Sequence, residues 1–330
     1  NFVYTIKNLN EFKESIVNLV SYYRGAPPVA FPEKRFNIVK CKMQEFQYKS
    51  YLNSISSSDG YIRGSFKSVD LLELPTSFLL APRLISNVAF PNKSHGLMGQ
   101  ASFKDEYLQL GNVKNYSIKF YKILKKIKQS EGPVFVYSNF KEGGGIKAFS
   151  ILLDAHGFKD YKTYGPGEKR YSIWSGDDSI KIKENLKSVF NKYENKTGDL
   201  IKIMLGTPSI KEGISLLRVE QAHILEPYWN MSRMNQVIGR AIRFCSHKDL
   251  PKNKRYVDVY LYLATHPDIN SVDEHIWSLA KKKQKIIDIF ETAIKEMAID
   301  CNLFYERNVY KNETKLNCFN LEDKDKKIII

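Results

Sequence analysis

Cysteine is scarce. The four, Cys41, Cys245, Cys301 and Cys318, have no short paired spacing, so neither a zinc site nor a disulfide framework is expected and all four are read as reduced. No unbroken apolar run reaches membrane-spanning length, and the opening Asn1-Phe-Val-Tyr-Thr5 lacks the basic and apolar regions of a signal peptide. An intracellular protein is expected. No G-x-x-x-x-G-K-[ST] occurs, so the loop that cradles nucleotide phosphates and the hydroxyl that holds Mg²⁺ are missing. No H-E-x-x-H or comparable ligand pair is present, and no Ser or Cys stands in a triad context, so no protein-held metal is expected. Internal repeats are absent too, and because the chain begins without Met it is expected to be part of something longer.

Positive charge, by contrast, is plentiful. The 51 Lys and Arg exceed the 36 Asp and Glu, giving +15 and a pI near 9.4. That balance points to a polyanionic partner such as nucleic acid, although a solvated lysine-rich surface would carry the same charge. A hydrophobic content of 43% supports a real core, and 330 residues exceed what one core sustains, so one principal domain and a smaller satellite are expected.

Up to about Asn112 the chain is irregular, with Pro27-Pro28, Ser56-Ser57-Ser58-Asp59-Gly60, Pro75, Pro82 and Pro91. From Tyr116 the pattern changes. Ile118, Tyr121, Ile123, Leu124 and Ile127 recur at helical spacing until Gly132-Pro133. Val134–Tyr137 then reads as a buried strand, Ile146–Ala155 as a helix closed by Gly157, and Phe158–Tyr164 as a further strand. Ser179–Tyr193 is amphipathic. Leu200–Leu205, Ala222–Leu225 and Val257–Leu263 read as strands, Met231–Cys245 as a helix, and Val272–Ala298 as a long helix before a polar tail. This alternation predicts an α/β fold, a parallel sheet with helices on both faces, because parallel neighbours need crossover connections. Ligands of such sheets gather at the carboxyl ends of strands, just after Tyr137, Leu205 and Leu225.

The most informative segment is Gln236-Val-Ile-Gly239-Arg240-Ala-Ile-Arg243. On a helix, Gln236, Gly239, Arg240 and Arg243 share one face while Val237, Ile238, Ala241, Ile242 and Phe244 fall toward the other. Guanidinium groups stay ionised and grip phosphate oxygens in pairs, and a glycine beside them allows close approach at a cost of about 1 kcal/mol relative to alanine. An isolated R-x-x-R is more often a solvated helix face. Here it follows Gly206-Thr-Pro-Ser-Ile-Lys-Glu-Gly213-Ile-Ser-Leu216, a strand, and Glu226-Pro-Tyr-Trp-Asn230.

Those two segments resemble motifs VI and V of superfamily 2 helicases. The resemblance implies a RecA-like lobe in which Arg243 is the arginine finger and Arg240 a second phosphate or interlobe contact. Gln236 and Gly239 would line the nucleotide cleft, and Gly213 would let the backbone approach a ribose. Thr207 would meet a nucleic-acid phosphate, although Thr207-Pro208 alone reads as a plain helix start. Tyr137-Ser138-Asn139 with Gly143-Gly144-Gly145 resembles motif IV, which makes Ser138 and Asn139 nucleic-acid contacts. The triple glycine is equally readable as a flexible loop. Ser21–Gly25, Met43–Tyr48, Ser86–Pro91, Trp174–Gly176, and Ser271–Ile276 through Ala298–Cys301 resemble the C-terminal part of the helicase-like ATPases of large DNA viruses, a group that includes poxvirus nucleoside triphosphate phosphohydrolase I and the early transcription factor small subunit. Glu212, and Phe244-Cys-Ser-His247 after the arginines, depart from the remodelling translocases and favour the viral group.

Two Asp-Glu pairs, Asp105-Glu106 and Asp273-Glu274, mimic a magnesium-binding motif, but neither follows an apolar strand, and Ser271-Val-Asp-Glu274 reads as a helix capping box. The expected layout is an accessory region at 1–111, a RecA-like domain at 112–265 and a helical extension at 266–330. The expected function is the second motor lobe of a nucleic-acid-dependent ATPase acting in viral transcription, in the virion or host cytoplasm. ATP and Mg²⁺ would be held mainly by a first lobe outside this chain. Expected partners are that lobe, nucleic acid (DNA ahead of RNA) and the transcription machinery, with no membrane. The alternative is a non-catalytic nucleic-acid-binding scaffold or transcription-factor subunit.

Overall fold

A computed structural model describes residues 6–17, 19–56, 79–211, 214–309 and 313–319. The chain forms two compact units, 31–279 and the pairing of 1–30 with 280–330.

The larger unit is built on seven strands: β1 (Glu33–Lys42), β2 (Val134–Tyr137), β3 (Lys159–Asp160), β4 (Arg170–Trp174), β5 (Ile203–Gly206), β6 (Gln221–Ile224) and β7 (Tyr256–Thr265). They form one sheet in the order β1-β7-β6-β2-β5-β4-β3, and every pairing is parallel. The fold is the parallel α/β architecture expected. Four-residue strands suffice at the centre because β2, β5 and β6 are buried along their whole length, which is why they read as short apolar runs without alternation. Val134 of β2 pairs with Ile203 on one side and Gln221 on the other, which fixes the register of the three central strands.

The Ile118–Gln129 helix starts where Ser117 accepts a hydrogen bond from the Phe120 amide, and it buries Ile118, Phe120, Ile123, Leu124 and Ile127. These pack with Val134, Val136, Phe149, Leu152, Ile203 and Leu205 into the principal core. Fully burying each such side chain is worth roughly 1.5–3 kcal/mol, so this cluster fixes the Ile118–Gln129 and Ile146–Ala155 helices against the sheet.

Several sequence expectations need correction. The region expected to be an irregular accessory segment supplies β1, which pairs with β7 over ten residues from Glu33↔Tyr256 to Lys42↔Thr265, so β1 is part of the sheet. Its six leading residues are exposed, which hid it from periodicity, and non-local pairing alone orders it. Phe158–Tyr164 holds a two-residue strand followed by a short helix, Tyr161–Tyr164. Most consequential, the Met231–Cys245 helix is only Met231–Ile238, and Gly239 closes it.

In the smaller unit the Leu9–Ile16 helix sets Phe12 edge-on to Phe290 at 5.1 Å, and Lys13 pairs with Glu296 at 2.7 Å. Cys301 and Cys318 are joined by a disulfide, which corrects the expectation that all cysteines are reduced. The bond exists because the tail returns along the end of the Val272–Glu296 helix. Glu296 accepts the Asn317 amide on its carboxylate at 3.1 Å and the Phe319 amide on its carbonyl at 2.9 Å. Spacing carries no trace of that return. No helix among the described residues is long and apolar enough to cross a membrane.

Candidate nucleotide and nucleic-acid interface

The chain leaves β2 toward β3 on one flank and leaves β6 toward β7 on the other, so the adjacent ends of β2 and β6 flank a topological switch point. At its floor lies Glu226, 1% exposed. Its carboxylate accepts hydrogen bonds from Ser138 Oγ (2.9 and 3.0 Å), the Asn139 amide, Asn139 Nδ2 (3.1 Å) and Asn87 Nδ2 (2.9 Å). Asn87 Oδ1 takes the Lys119 ammonium at 2.9 Å, and Lys119 pairs with Asp273 at 2.6 Å, both side chains fully buried. One continuous polar chain thus runs from Asp273 to the tip of β2. Arg83, 2% exposed, lies over the rings of Phe140 (4.8 Å) and Trp229 (5.0 Å), close enough to Glu226 for the two charges to act on each other. Residues of the Leu80–Asn87 helix therefore fill the crevice in which a ligand was expected.

This placement bears on each residue singled out from the sequence. Ser138 is fully buried, and its hydroxyl donates to Glu226 while accepting from the Phe140 amide at 3.0 Å. Asn139 is half-buried, with its amide nitrogen on Glu226 and its oxygen accepting from Tyr137 at 3.0 Å. Thr207, 3% exposed, donates to the Trp174 carbonyl at 3.0 Å and meets Ser209 at 2.9 Å. All three are engaged inside the lobe, which holds the sheet's edge in shape. Gly213 and Glu212 lie outside the described residues. The triple glycine is buried: Gly143 and Gly144 have φ of 62° and 122°, and a Cβ on Gly145 would stand 1.8 Å from the Phe140 carbonyl. The first amides of the following helix bond the Phe140 and Lys141 carbonyls, so the turn serves packing and does not present amides to a phosphate. The capping box is as expected, with Ser271 and Glu274 exchanging bonds of 3.1 and 3.2 Å.

The Gln236–Arg243 segment is arranged differently. The helix ends at Ile238, and the glycine sits at φ −62°, so it is not there to reach the left-handed region. Gln236 is exposed; Arg240 and Arg243 are half-buried and lie in the turn beyond, not on one helix face with it. The turn is anchored on the segment that descends to the amino end of β6. The Arg240 carbonyl accepts the Leu216 amide at 2.8 Å, Arg240 Nη1 reaches the Ile214 carbonyl at 3.4 Å, and the Ser246 carbonyl accepts the Arg218 amide at 3.1 Å. The arginines consequently lie beside the segment that joins β5 to β6. Burial, and after it the charge of Arg243, hold the Arg240 guanidinium below its ordinary pKa. Arg243 has no carboxylate partner among the described residues, and its Nε is buried without an acceptor. By contrast Arg218, just before β6, pairs with Asp249 and also donates to the Asn191 and Lys192 carbonyls.

Comparison with known proteins bears directly on this segment: residues 118–245 match the family model described as the helicase conserved C-terminal domain. Over those residues the chain is similar to helicase C-terminal domains, and its relatives include viral proteins named as helicases. A protein of Acanthamoeba polyphaga mimivirus, named as an ATP-dependent RNA helicase, is 48% identical over 317 residues, covering 96% of this chain and 55% of that protein. Nucleoside triphosphatase I of Melanoplus sanguinipes entomopoxvirus is 28% identical over 257 residues, covering 76% of this chain and 38% of the relative. The crystal structure of the C-terminal part of the Fun30 ATPase domain aligns at 17% identity with a TM-score of 0.48, covering 80% of this chain and 97% of that one. The chain therefore spans about half the length of the mimivirus relative, and less of the entomopoxvirus one.

Sequence reasoning passed over Glu226, Asn87 and Arg83 as parts of one cluster. The strand-end rule pointed at Glu226, the residue directly after Leu225. Nothing in the sequence revealed that the Leu80–Asn87 helix would pack there. Among the described residues no cluster of three His, Cys, Asp or Glu is placed to hold a metal ion.

Proposed function

We propose that this chain is the C-terminal motor lobe of an ATP-dependent nucleic-acid helicase or translocase that works in viral transcription. Arg243 is its arginine finger and Arg240 a second contact to the nucleotide phosphates. The observation that carries this reading is the pair of half-buried guanidiniums, near enough for one to depress the pKa of the other, with Arg243 lacking a carboxylate partner among the described residues. Arg243, with no carboxylate partner among the described residues, suits a multiply charged anion, and a nucleoside triphosphate held by another lobe is such an anion.

ATP with Mg²⁺ supplies the transferable phosphoryl group and the charge-neutralising metal. This chain has no phosphate-cradling loop and no described metal cluster, so its part is limited to the arginines. They fit the phosphate chain of the nucleotide: fixed cations with several donors stabilise the charge that develops on the transferring group. In the longer protein, Arg243→Ala is expected to lower ATP turnover by about 10³-fold or more while polynucleotide binding persists. Normal turnover in that variant would remove the finger assignment.

A further inference from the structure

The hydroxyls of Ser138 and Thr207 and the side chain of Asn139 are engaged inside the lobe, so a polynucleotide at this edge must be gripped by other groups. Arg233 is placed for it. It stands in the first turn of the Met231–Ile238 helix, directly after the carboxyl end of β6 and beside the switch point. Its guanidinium lies 4.1 Å over the Tyr228 ring and donates through Nη1 to the Tyr228 hydroxyl. Its Nε is buried without an acceptor, and no carboxylate pairs with it among the described residues. Asn230 caps the helix by accepting the Ser232 amide at 2.9 Å and the Arg233 amide at 3.4 Å, which fixes the root of the side chain.

Two other cations stand near Arg233: Lys119, which takes Asp273, and Arg83, on which the charges of Glu226 and Asp273 act. Of the three, Arg83 is 2% exposed and Lys119 fully buried, whereas Arg233 is half-buried and open to a ligand. An arginine stacked on a ring, with donors to spare and no acid to hold, suits a phosphate diester, which accepts two parallel N–H bonds.

We propose that Arg233 grips a backbone phosphate of the polynucleotide at the switch point between β2 and β6. This role rests on the reading that the lobe binds nucleic acid. Tyr228 stacks beneath the guanidinium and is a positioning residue.

The test is the binding of short fluorescein-labelled DNA and RNA strands to this chain, followed by anisotropy across a salt titration. Arg233→Gln is expected to weaken binding about tenfold and to make the slope of log K against log salt shallower by about one. Arg233→Lys keeps the charge and should keep the slope, and Tyr228→Phe, which removes only the hydroxyl, should keep it as well. A merely structural role for Arg233 would change the melting temperature and leave the slope alone. Arg233→Gln binding with wild-type affinity and slope would overturn the assignment. A wild-type chain that binds neither DNA nor RNA would remove the nucleic-acid reading itself, and the role of Arg233 with it.

Discussion

The Glu226 cluster at the switch point and the Gly239–Arg243 turn are both polar features of an apolar lobe, yet the first is a carboxylate wrapped by donors and the second a pair of neighbouring cations. In the crevice, Glu226 accepts from three residues, Asn87 bridges Glu226 to Lys119, and Lys119 meets Asp273. In the turn, two guanidiniums repel one another, and Arg243 Nε lacks an acceptor. The Glu226 cluster is architecture, and the role proposed for the turn is to meet an anion.

That contrast is sharpest where it predicts stability. Glu226→Ala deprives Asn87, Ser138 and Asn139 of their acceptor and removes one of the carboxylates whose charge acts on Arg83. A loss of about 3 kcal/mol or more is expected, which for a unit of this size lowers the melting temperature by roughly 10 °C. Calorimetry of the variant checks it, and an unchanged melting temperature would mean that the crevice is not the keystone described here.

A smaller effect follows from buried histidines. His223, fully buried between Tyr262 and Gln221, has its pKa pushed down to about 3, and burial lowers that of His247 as well. Both are neutral in the fold, whereas the unfolded chain takes up a proton near pH 6.5. Below that pH the unfolded state binds more protons, so stability falls by up to about 1.4 kcal/mol per pH unit for His223, down toward its folded value. Denaturant titrations between pH 7 and 4 should show this decline, and His223→Gln should flatten it.

Much of the sheet was legible because its central strands are short apolar runs and its helices keep a 3.6-residue period, as in Ile118–Gln129. The edge was not. β1 is exposed over most of its length and exists only through its register with β7. The Leu80–Asn87 helix plugs the crevice through contacts that span about a hundred and forty residues of chain, as from Asn87 to Glu226, a separation that local patterns do not record. For the site, the residue types were legible and their geometry was not. Helical periodicity placed Gln236, Arg240 and Arg243 on one face, whereas the helix stops at Ile238 and a turn carries the arginines. The Ser138, Asn139 and Thr207 side chains have the chemistry to bind phosphate, but burial commits them to Glu226, Trp174 and their neighbours.

The most direct test of the contrast is the melting temperature of this chain carrying Arg243→Met, which keeps a stem of similar length and removes the charge. Because the guanidinium lacks a carboxylate partner among the described residues and is repelled by Arg240, the variant should melt within about 2 °C of wild type, an effect below 0.5 kcal/mol. A fall as large as that of Glu226→Ala would show that Arg243 completes its own lobe, and would contradict the account.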